Sequence, residues 1–378
     1  MGLITTIREY DLFAKPLDDF RIKTSFGGLI SVLSFCTILI LFVTETISYI
    51  HVKTKESLYI DYTPGDTNIT IYFDISFHGL PCDFLSVDIL DQGGQSQENI
   101  VDNVYKMRLD SNGNLKANSE MIKLEINKNH TIISNNITTT TVPENYCGSC
   151  YGAATGCCNT CEDVRSAYEQ RGWSIEDLDK VEQCKNDPVV KLLTERQGEG
   201  CRVSGRAMVA KSGGNFHIAP GEGQSYRRNH MHSLRGISID RFNISHTINH
   251  LSFGETFPHK KFPLNNKVFI DEDGGIMHNY YAKIVPISYT YINNKYEIFS
   301  YQFSATHIKK EVQQSQTGLP GFFFLYEFSP IMVKYEEYYE SFGRYAVNLC
   351  AIIGGVYTVA ALVDSFAYKS IRIIKKDT

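Results

Sequence analysis

Two stretches of this chain have the length and apolarity to cross a bilayer, and they bracket almost everything else. Residues 26–43, "FGGLISVLSFCTILILFV", run for eighteen positions without a charge or a proline, and "TETISYI" carries the run to 50. Residues 345–363, "YAVNLCAIIGGVYTVAALV", are nineteen uncharged positions. A spanning helix needs about 20 mostly apolar residues, so the pattern predicts two transmembrane helices, over 26–48 and 344–366. The first has 25 residues ahead of it and no small-residue cleavage site behind it, which reads as a signal-anchor and not a cleaved leader. Lys and Arg favour the cytoplasmic side of a span. Arg8, Lys15, Arg21 and Lys23 precede the first, and Lys369, Arg372, Lys375 and Lys376 follow the second. Both ends, 1–25 and 367–378, are therefore expected in the cytosol, and 49–343 in the lumen. Paired glycines at 27–28 and 354–355 would permit close helix packing, and equally they fit the ordinary frequency of glycine in membrane helices. Acidic residues outnumber basic ones 42 to 37, so no nucleic-acid partner is expected.

Of ten cysteines, Cys36 and Cys350 fall inside the apolar runs, and the other eight fall in 49–343. An even number is what an oxidising lumen favours. Four N-x-S/T sequons, at Asn68, Asn129, Asn136 and Asn243, lie in the same segment.

Strand patterns dominate that segment. In "ITIYFDISF", Ile69, Ile71, Phe73, Ile75 and Phe77 recur every second residue, which puts all five on one face of a strand. Leu85, Val87 and Ile89 repeat the pattern, and Asn112-Gly113 reads as a hairpin turn. A second hairpin is expected to turn at Asn293-Asn294, with Pro286 marking an edge or a bulge. The architecture these patterns predict is an antiparallel β-sandwich. One section differs: between 162 and 183, Val164, Ala167 and Tyr168, then Ile175, Leu178 and Val181, recur at helical spacing, with Gly172 between two helices. The expectation is a small, cysteine-rich helical insertion over about 147–201.

"CGSCYGAATGCCNTC" opens that insertion with five cysteines. Cys147-x-x-Cys150 and Cys158-x-x-Cys161 offer the four thiolates of a zinc site. Cys158-x-x-Cys161 alone has the spacing of a redox pair. The third reading is structural disulfides among Cys82, Cys147, Cys150, Cys157, Cys158, Cys161, Cys184 and Cys201, and the oxidising compartment favours it. Vicinal geometry keeps Cys157 and Cys158 from bonding each other, so each needs its own partner.

The chain ends "IRIIKKDT". Lys375 and Lys376, fourth and third from the end, have the form of a dilysine retrieval signal read by the COPI coat. Six histidines fall between 217 and 259. His titrates near the pH gap between early and late secretory compartments, and His230 and His232 are candidates for a pH-dependent switch. A solvated loop accounts for the same histidines. No hydrolase motif and no nucleotide-binding loop is present, and no cofactor is expected.

Several stretches carry a family resemblance: "DLFAKPLDDFRIKTSFGG" at 11–28, "FDISFHGLPCDFLSVDILD" at 73–91, "CCNTCEDVRSAY" at 157–168, "GNFHIAPG" at 214–221, "NISHTINHLSFGE" at 243–255, "GLPGFFFLYEFSPIMVKYEE" at 318–337 and "AIIGGVYTVAALVDS" at 351–365. In order, and over nearly the whole chain, they resemble the endoplasmic reticulum–Golgi intermediate compartment protein 3 family. The resemblance implies a two-pass protein with a β-rich lumenal domain, cycling between the endoplasmic reticulum and the early Golgi. It implies a paralogous smaller membrane subunit as partner and the retrieval of escaped resident proteins as clients. That paralogue lacks the cysteine-rich insertion, which makes Cys147, Cys150, Cys157, Cys158 and Cys161 candidates for cargo recognition. Forward transport would use the COPII coat through an aromatic signal, for which Phe366 and Tyr368 are the available residues. The expected function is a cargo receptor and not an enzyme. The rivals are a lumenal thiol–disulfide oxidoreductase using Cys158 and Cys161, and a membrane scaffold.

Overall fold

The computed structural model describes residues 25–63, 67–96, 102–116, 121–124, 146–175, 177–226, 229–234, 237–293, 296–312 and 318–376. The chain divides into two compact units: one made of 1–55 with 337–378, the other of 56–336.

The first unit holds two long helices, α1 (Ser25–Ile50) and a C-terminal helix (Phe342–Lys376). Their apolar stretches, 27–50 and 342–367, are long enough to span a bilayer. Polar groups join them at one end: Thr46 Oγ1 and Tyr345 Oη lie 2.9 Å apart, and Asn348 Nδ2 donates to Glu45 Oε1 at 2.7 Å. Tyr49 stacks on Tyr345 with ring centroids 4.5 Å apart. Gly28, Gly354 and Gly355 are not sites of close approach, since a Cβ built on any of them would meet nothing within 4 Å.

The second unit is a sandwich built from strands β1 (Lys53–Ile60), β2 (Asn68–Phe77), β3 (Leu85–Asp91), β4 (Asp102–Leu109), β5 (Ile122–Leu124), β6 (Gly200–Ala210), β7 (Gly214–Pro220), β8 (Glu222–Tyr226), β9 (Asn229–Ser233), β10 (His246–Phe253), β11 (Lys267–Phe269), β12 (Ile276–Thr290), β13 (Glu297–Glu311), β14 (Gly321–Phe328) and β15 (Ile331–Tyr338). One sheet has the order β11-β10-β2-β6-β4-β5 and is antiparallel throughout. The other runs β1-β15-β12-β14-β7-β3, with β13 also on β12. The alternation in β2 is the reason it sits centrally: Ile69, Ile71, Phe73, Ile75 and Phe77 are all buried and all face the opposite sheet. Phe73 meets Phe216 of β7 at 4.7 Å between centroids, and Phe253 of β10 meets Phe324 of β14 at 5.9 Å.

The second sheet is mixed. β13 pairs along the whole of β12, so β14 and β15 share its other edge, end to end and parallel to it. Pro286 therefore lies in a central strand, neither at an edge nor in a bulge. Its partners change there: β14 pairs as far as Ile284 and β15 begins at Ile287. Ser329 N donates to Ile284 O, so the backbone groups of 284 and, two residues on, 286 point to that edge. The missing N–H of Pro286 falls in the gap between two partners, where no ladder bond is lost.

Between β5 and β6 the chain leaves the sandwich as the insertion, with α2 (Cys161–Gln170) and α3 (Pro188–Glu195). Asn112-Gly113 turns the chain after β4, with Gly113 at φ +81°. The second helix expected, from Gly172 to 183, is instead two single 3-10 turns, Leu178–Lys180 and Glu182–Cys184. Ile175 is held extended by a bridge to Ile237, and this stops a helix from starting there. Leu178 and Val181 are buried as the spacing required.

Candidate functional site

The insertion is held by covalent and polar links in a short span. Cys147 is bonded to Cys157 and Cys150 to Cys158, two rungs between neighbouring segments. The adjacent pair thus points to different partners. Backbone approach at the rungs is close: Cys158 N donates to Gly148 O at 2.9 Å, and a Cβ at Gly148 would sit 2.2 Å from Cys158 O. Only glycine fits there. Cys161 is bonded to Cys184, tying the start of α2 to the second 3-10 turn. Cys82–Cys201 closes a separation of 119 residues and joins the sandwich itself.

Local chemistry explains the two helices. Thr160 caps α2 by accepting from Asp163 N, while Asp163 accepts from Thr160 N, a reciprocal capping box. Asp187 caps α3 by accepting from Val189 N and Val190 N, with Pro188 at the first position. Asp187 also pairs at 3.2 Å with Arg165 of α2, whose side chain is 3% exposed and bonds Glu162 at 2.7 Å. One carboxylate therefore serves both helices. Gln183 fastens the loop from the far side, donating to Ser149 O at 2.9 Å and Cys158 O at 2.8 Å.

The frame leaves large aromatic surface in solvent. Tyr151 and Trp173, the only tryptophan in the chain, are 41% and 46% exposed. Trp173 packs edge-on to Tyr168 at 5.9 Å and lies under the Arg171 guanidinium at 5.3 Å. Exposed rings on a rigid support have the character of protein-contact surface. The thiol chemistry is different from the motif's promise. Cys158 and Cys161 are bonded to Cys150 and Cys184 and not to each other, and each is 4% exposed.

The histidines are mostly not on a solvated loop. His246 is fully buried, 2.8 Å from Tyr280 Oη, and burial pushes it down to about 3. His250 is half-buried, and only His259 of the six is exposed. His230 and His232 lie on β9 with His217 of β7 and Asp88 of β3 against them. Burial pushes His217 down to about 3 and lowers His232. Burial alone would raise Asp88, but His230, His217 and His232 more than offset it. The result is a carboxylate anion with the rings of His217 and His232 held neutral beside it. Asp88 carries no sequence mark, being one polar position in an alternating strand. The His-x-His spacing of 230 and 232 was the available signal, since period two puts both on one face.

The remaining candidates separate by exposure. Asn68 is exposed at the start of β2. The Asn243 amide is engaged, donating to Asp271 O at 3.0 Å. Asn129 and Asn136 lie outside the described residues. Phe366 is 76% exposed on the C-terminal helix (α4, Phe342–Lys376), which continues through Lys375 and Lys376; the side chains of Tyr368, Lys375 and Lys376 are not among those described.

The family model described as "Endoplasmic reticulum vesicle transporter" matches residues 150–364, and one described as "Endoplasmic Reticulum-Golgi Intermediate Compartment (ERGIC)" matches 7–98. A probable endoplasmic reticulum-Golgi intermediate compartment protein 3 of Dictyostelium discoideum is 39% identical, covering 99% of this chain and 98% of that protein. The ER-derived vesicles protein ERV46 of Saccharomyces cerevisiae is 31% identical over 98% of each. The crystal structure of Erv41p aligns with 75% of this chain and 99% of its own at 17% identity and a TM-score of 0.41. Spanning-length helices, a β-rich unit with a stapled insertion, and relatives matched from end to end make this chain a membrane protein of the endoplasmic reticulum vesicle transporter family, which works in early secretory traffic.

Proposed function

We propose that the chain is a cargo receptor cycling between the endoplasmic reticulum and the early Golgi, binding client proteins in the lumen and returning escaped residents. The observation that carries this reading is the stapled insertion: three disulfides hold a short segment that presents Tyr151 and Trp173 to solvent. A surface ordered before binding loses less conformational freedom on contact, so more of the contact energy appears as affinity. The alternative, an oxidoreductase using Cys158 and Cys161, is disfavoured by their burial and by their bonds to separate partners. The matched relatives are likewise named for trafficking.

In this reading 49–343 is lumenal and both ends are cytosolic, which the Lys and Arg flanks support. Lys375 and Lys376 engage the COPI coat, and Phe366 with Tyr368 engages COPII. A paralogous smaller subunit completes the receptor. The test is capture from cells expressing the full-length chain or its Y151A/W173A form, crosslinked in the lumen and identified by mass spectrometry. Loss of lumenal clients with retention of the membrane partner is expected. Recovery of the same clients at the same yield by the variant would sink the proposal.

A further inference from the structure

A second constellation lies away from the insertion's cysteines. Asp88 and His217 are direct cross-strand partners on β3 and β7. Their neighbours Val87, Ile89, Phe216 and Ile218 fill the sandwich core, so these two side chains project from the opposite, outer face of the sheet. The β8–β9 hairpin folds over that face and brings His230 and His232 down onto them. His232 Nε2 lies 3.0 Å from Nε2 of both His217 and His230. Asp88 Oδ2 is 3.6 Å from His232 Nε2, 3.8 Å from His230 Nε2 and 3.9 Å from His217 Nε2. One donor atom from each of the four residues lies within 4.8 Å of the others.

Three physical facts need a common explanation. First, the four side chains are only 2–6% exposed, and a carboxylate taken out of water costs several kcal/mol unless compensated. Asp88 accepts a hydrogen bond from His230, but its Oδ2 has no hydrogen-bond partner, and among the described residues no Lys or Arg forms an ion pair with it. The buried Lys106 feels the Asp88 charge but does not pair with it, donating instead to the Cys82 and Leu85 carbonyls. Second, three imidazoles aim Nε2 at one point: His232 Nε2 has the Nε2 atoms of both His217 and His230 at 3.0 Å, and all three face the Asp88 carboxylate. Third, the backbone makes room: a Cβ at Gly223 would sit 2.9 Å and 3.0 Å from the two Asp88 oxygens and 3.0 Å from His230 Cε1.

We propose that Asp88, His217, His230 and His232 bind one zinc ion. Tetrahedral zinc with bonds of about 2.0–2.1 Å to nitrogen or oxygen places its ligands about 3.3 Å apart, and the spacings here bracket that figure. Imidazole and carboxylate donors suit zinc, and four protein ligands close the coordination sphere. The site is thus structural and not catalytic. Ser86 Oγ, 3.3 Å from His232 Nδ1, is the outer contact that orients one ligand ring. The ion clamps the β8–β9 hairpin to the sheet. At the end of the hairpin, Ser233 Oγ donates to Glu169 of α2 at 3.2 Å, so the clamp also braces the insertion.

The assignment is independent of the receptor reading and is tested without clients. The full-length chain is purified in detergent through a tag free of histidine, stripped with chelator, reloaded with Zn²⁺ and desalted, and its metal is counted by mass spectrometry. All eight cysteines of 49–343 are in disulfides, and the free Cys36 and Cys350 are common to wild type and variants, so the difference in count reports the site. About one zinc per chain is expected for the wild type and for H259Q, and about a tenth of that or less for H230N/H232N and for D88N. Intact disulfides by non-reducing mass confirm that the variants have folded. Should the hairpin variants misfold, Co²⁺ loaded into the wild type decides, because a tetrahedral His and Asp set gives intense visible bands and an octahedral surface ion does not. Wild type holding no zinc, variants holding as much as wild type, or an octahedral Co²⁺ spectrum each overturns the site.

Discussion

Replacing Cys161 and Cys184 together with alanine should loosen the insertion without unfolding the sandwich. The bridge closes a separation of 23 residues, which by loop-closure entropy is worth about 3 kcal/mol against the locally opened state. Alanine is chosen because both sulfurs are buried, and a serine hydroxyl left there would add a desolvation cost of its own. Opening the segment exposes Val164, Leu178 and Val181, so packing still resists it; what is lost is the covalent share. About 3 kcal/mol is about two orders of magnitude in an opening equilibrium. Amide exchange in peptides covering 162–183 should speed by that factor in the full-length chain. Peptides from β2 and β10 should not change, because Cys82–Cys201 and the sheet core are untouched. Unchanged exchange in 162–183 would show that packing alone orders the insertion, and the preorganisation reasoning would fail. Equal acceleration in β2 would show that the insertion is not a separable element.

Three further outcomes follow from single contacts. D187A removes the α3 cap and one partner of the 3%-exposed Arg165, and together these should cost about 3 kcal/mol, read as a fall in denaturant midpoint. His246 is neutral in the fold because burial pushes it down to about 3, while the unfolded ring titrates near 6.5. The unfolded state therefore binds the extra proton as pH falls below 6.5, and stability drops by about 1 kcal/mol between about pH 7 and 5.5. In H246Q the baseline is lower, but that part of the pH slope should vanish; an unaltered slope would contradict the assignment. N68Q should remove a glycan shift on gels and N243Q should not, since Asn68 is exposed and the Asn243 amide is bonded to Asp271 O.

Periodicity made the sandwich legible wherever one face of a strand is buried. The five apolar positions of β2 specify its face and its central place, and the two apolar runs specify the long helices. The insertion's first helix was legible, since Val164, Ala167 and Tyr168 lie on α2, but its second half was legible only as apolar spacing, because Ile175, Leu178 and Val181 are buried through 3-10 turns and a bridge. Pro286 was misleading for a topological reason: nothing local says that two strands will share one edge of β12. The site at Asp88 was hidden for a similar reason. Its donors come from three strands, and β3 meets β7 only because the long-range order of the sheet puts them side by side. Short-range patterns report which face of a strand is wet, not which distant strand will cover it.

The shared edge of β12 has a consequence for synthesis. β7 and β3 connect to β12 only through β14, and β14 ends at Phe328, close to the helix that begins at Phe342. While residues before 321 are all that has emerged, the β12–β13 hairpin has no neighbour on its free edge and the buried rings of β2 and β10 have no lid from Phe322, Phe324 and Tyr326. Such long-range pairing is slow and leaves apolar surface open meanwhile. Closing the sandwich and delivering the second membrane anchor are thus nearly simultaneous events, so the release of a finished β-rich domain is timed by the arrival of its own C-terminal helix.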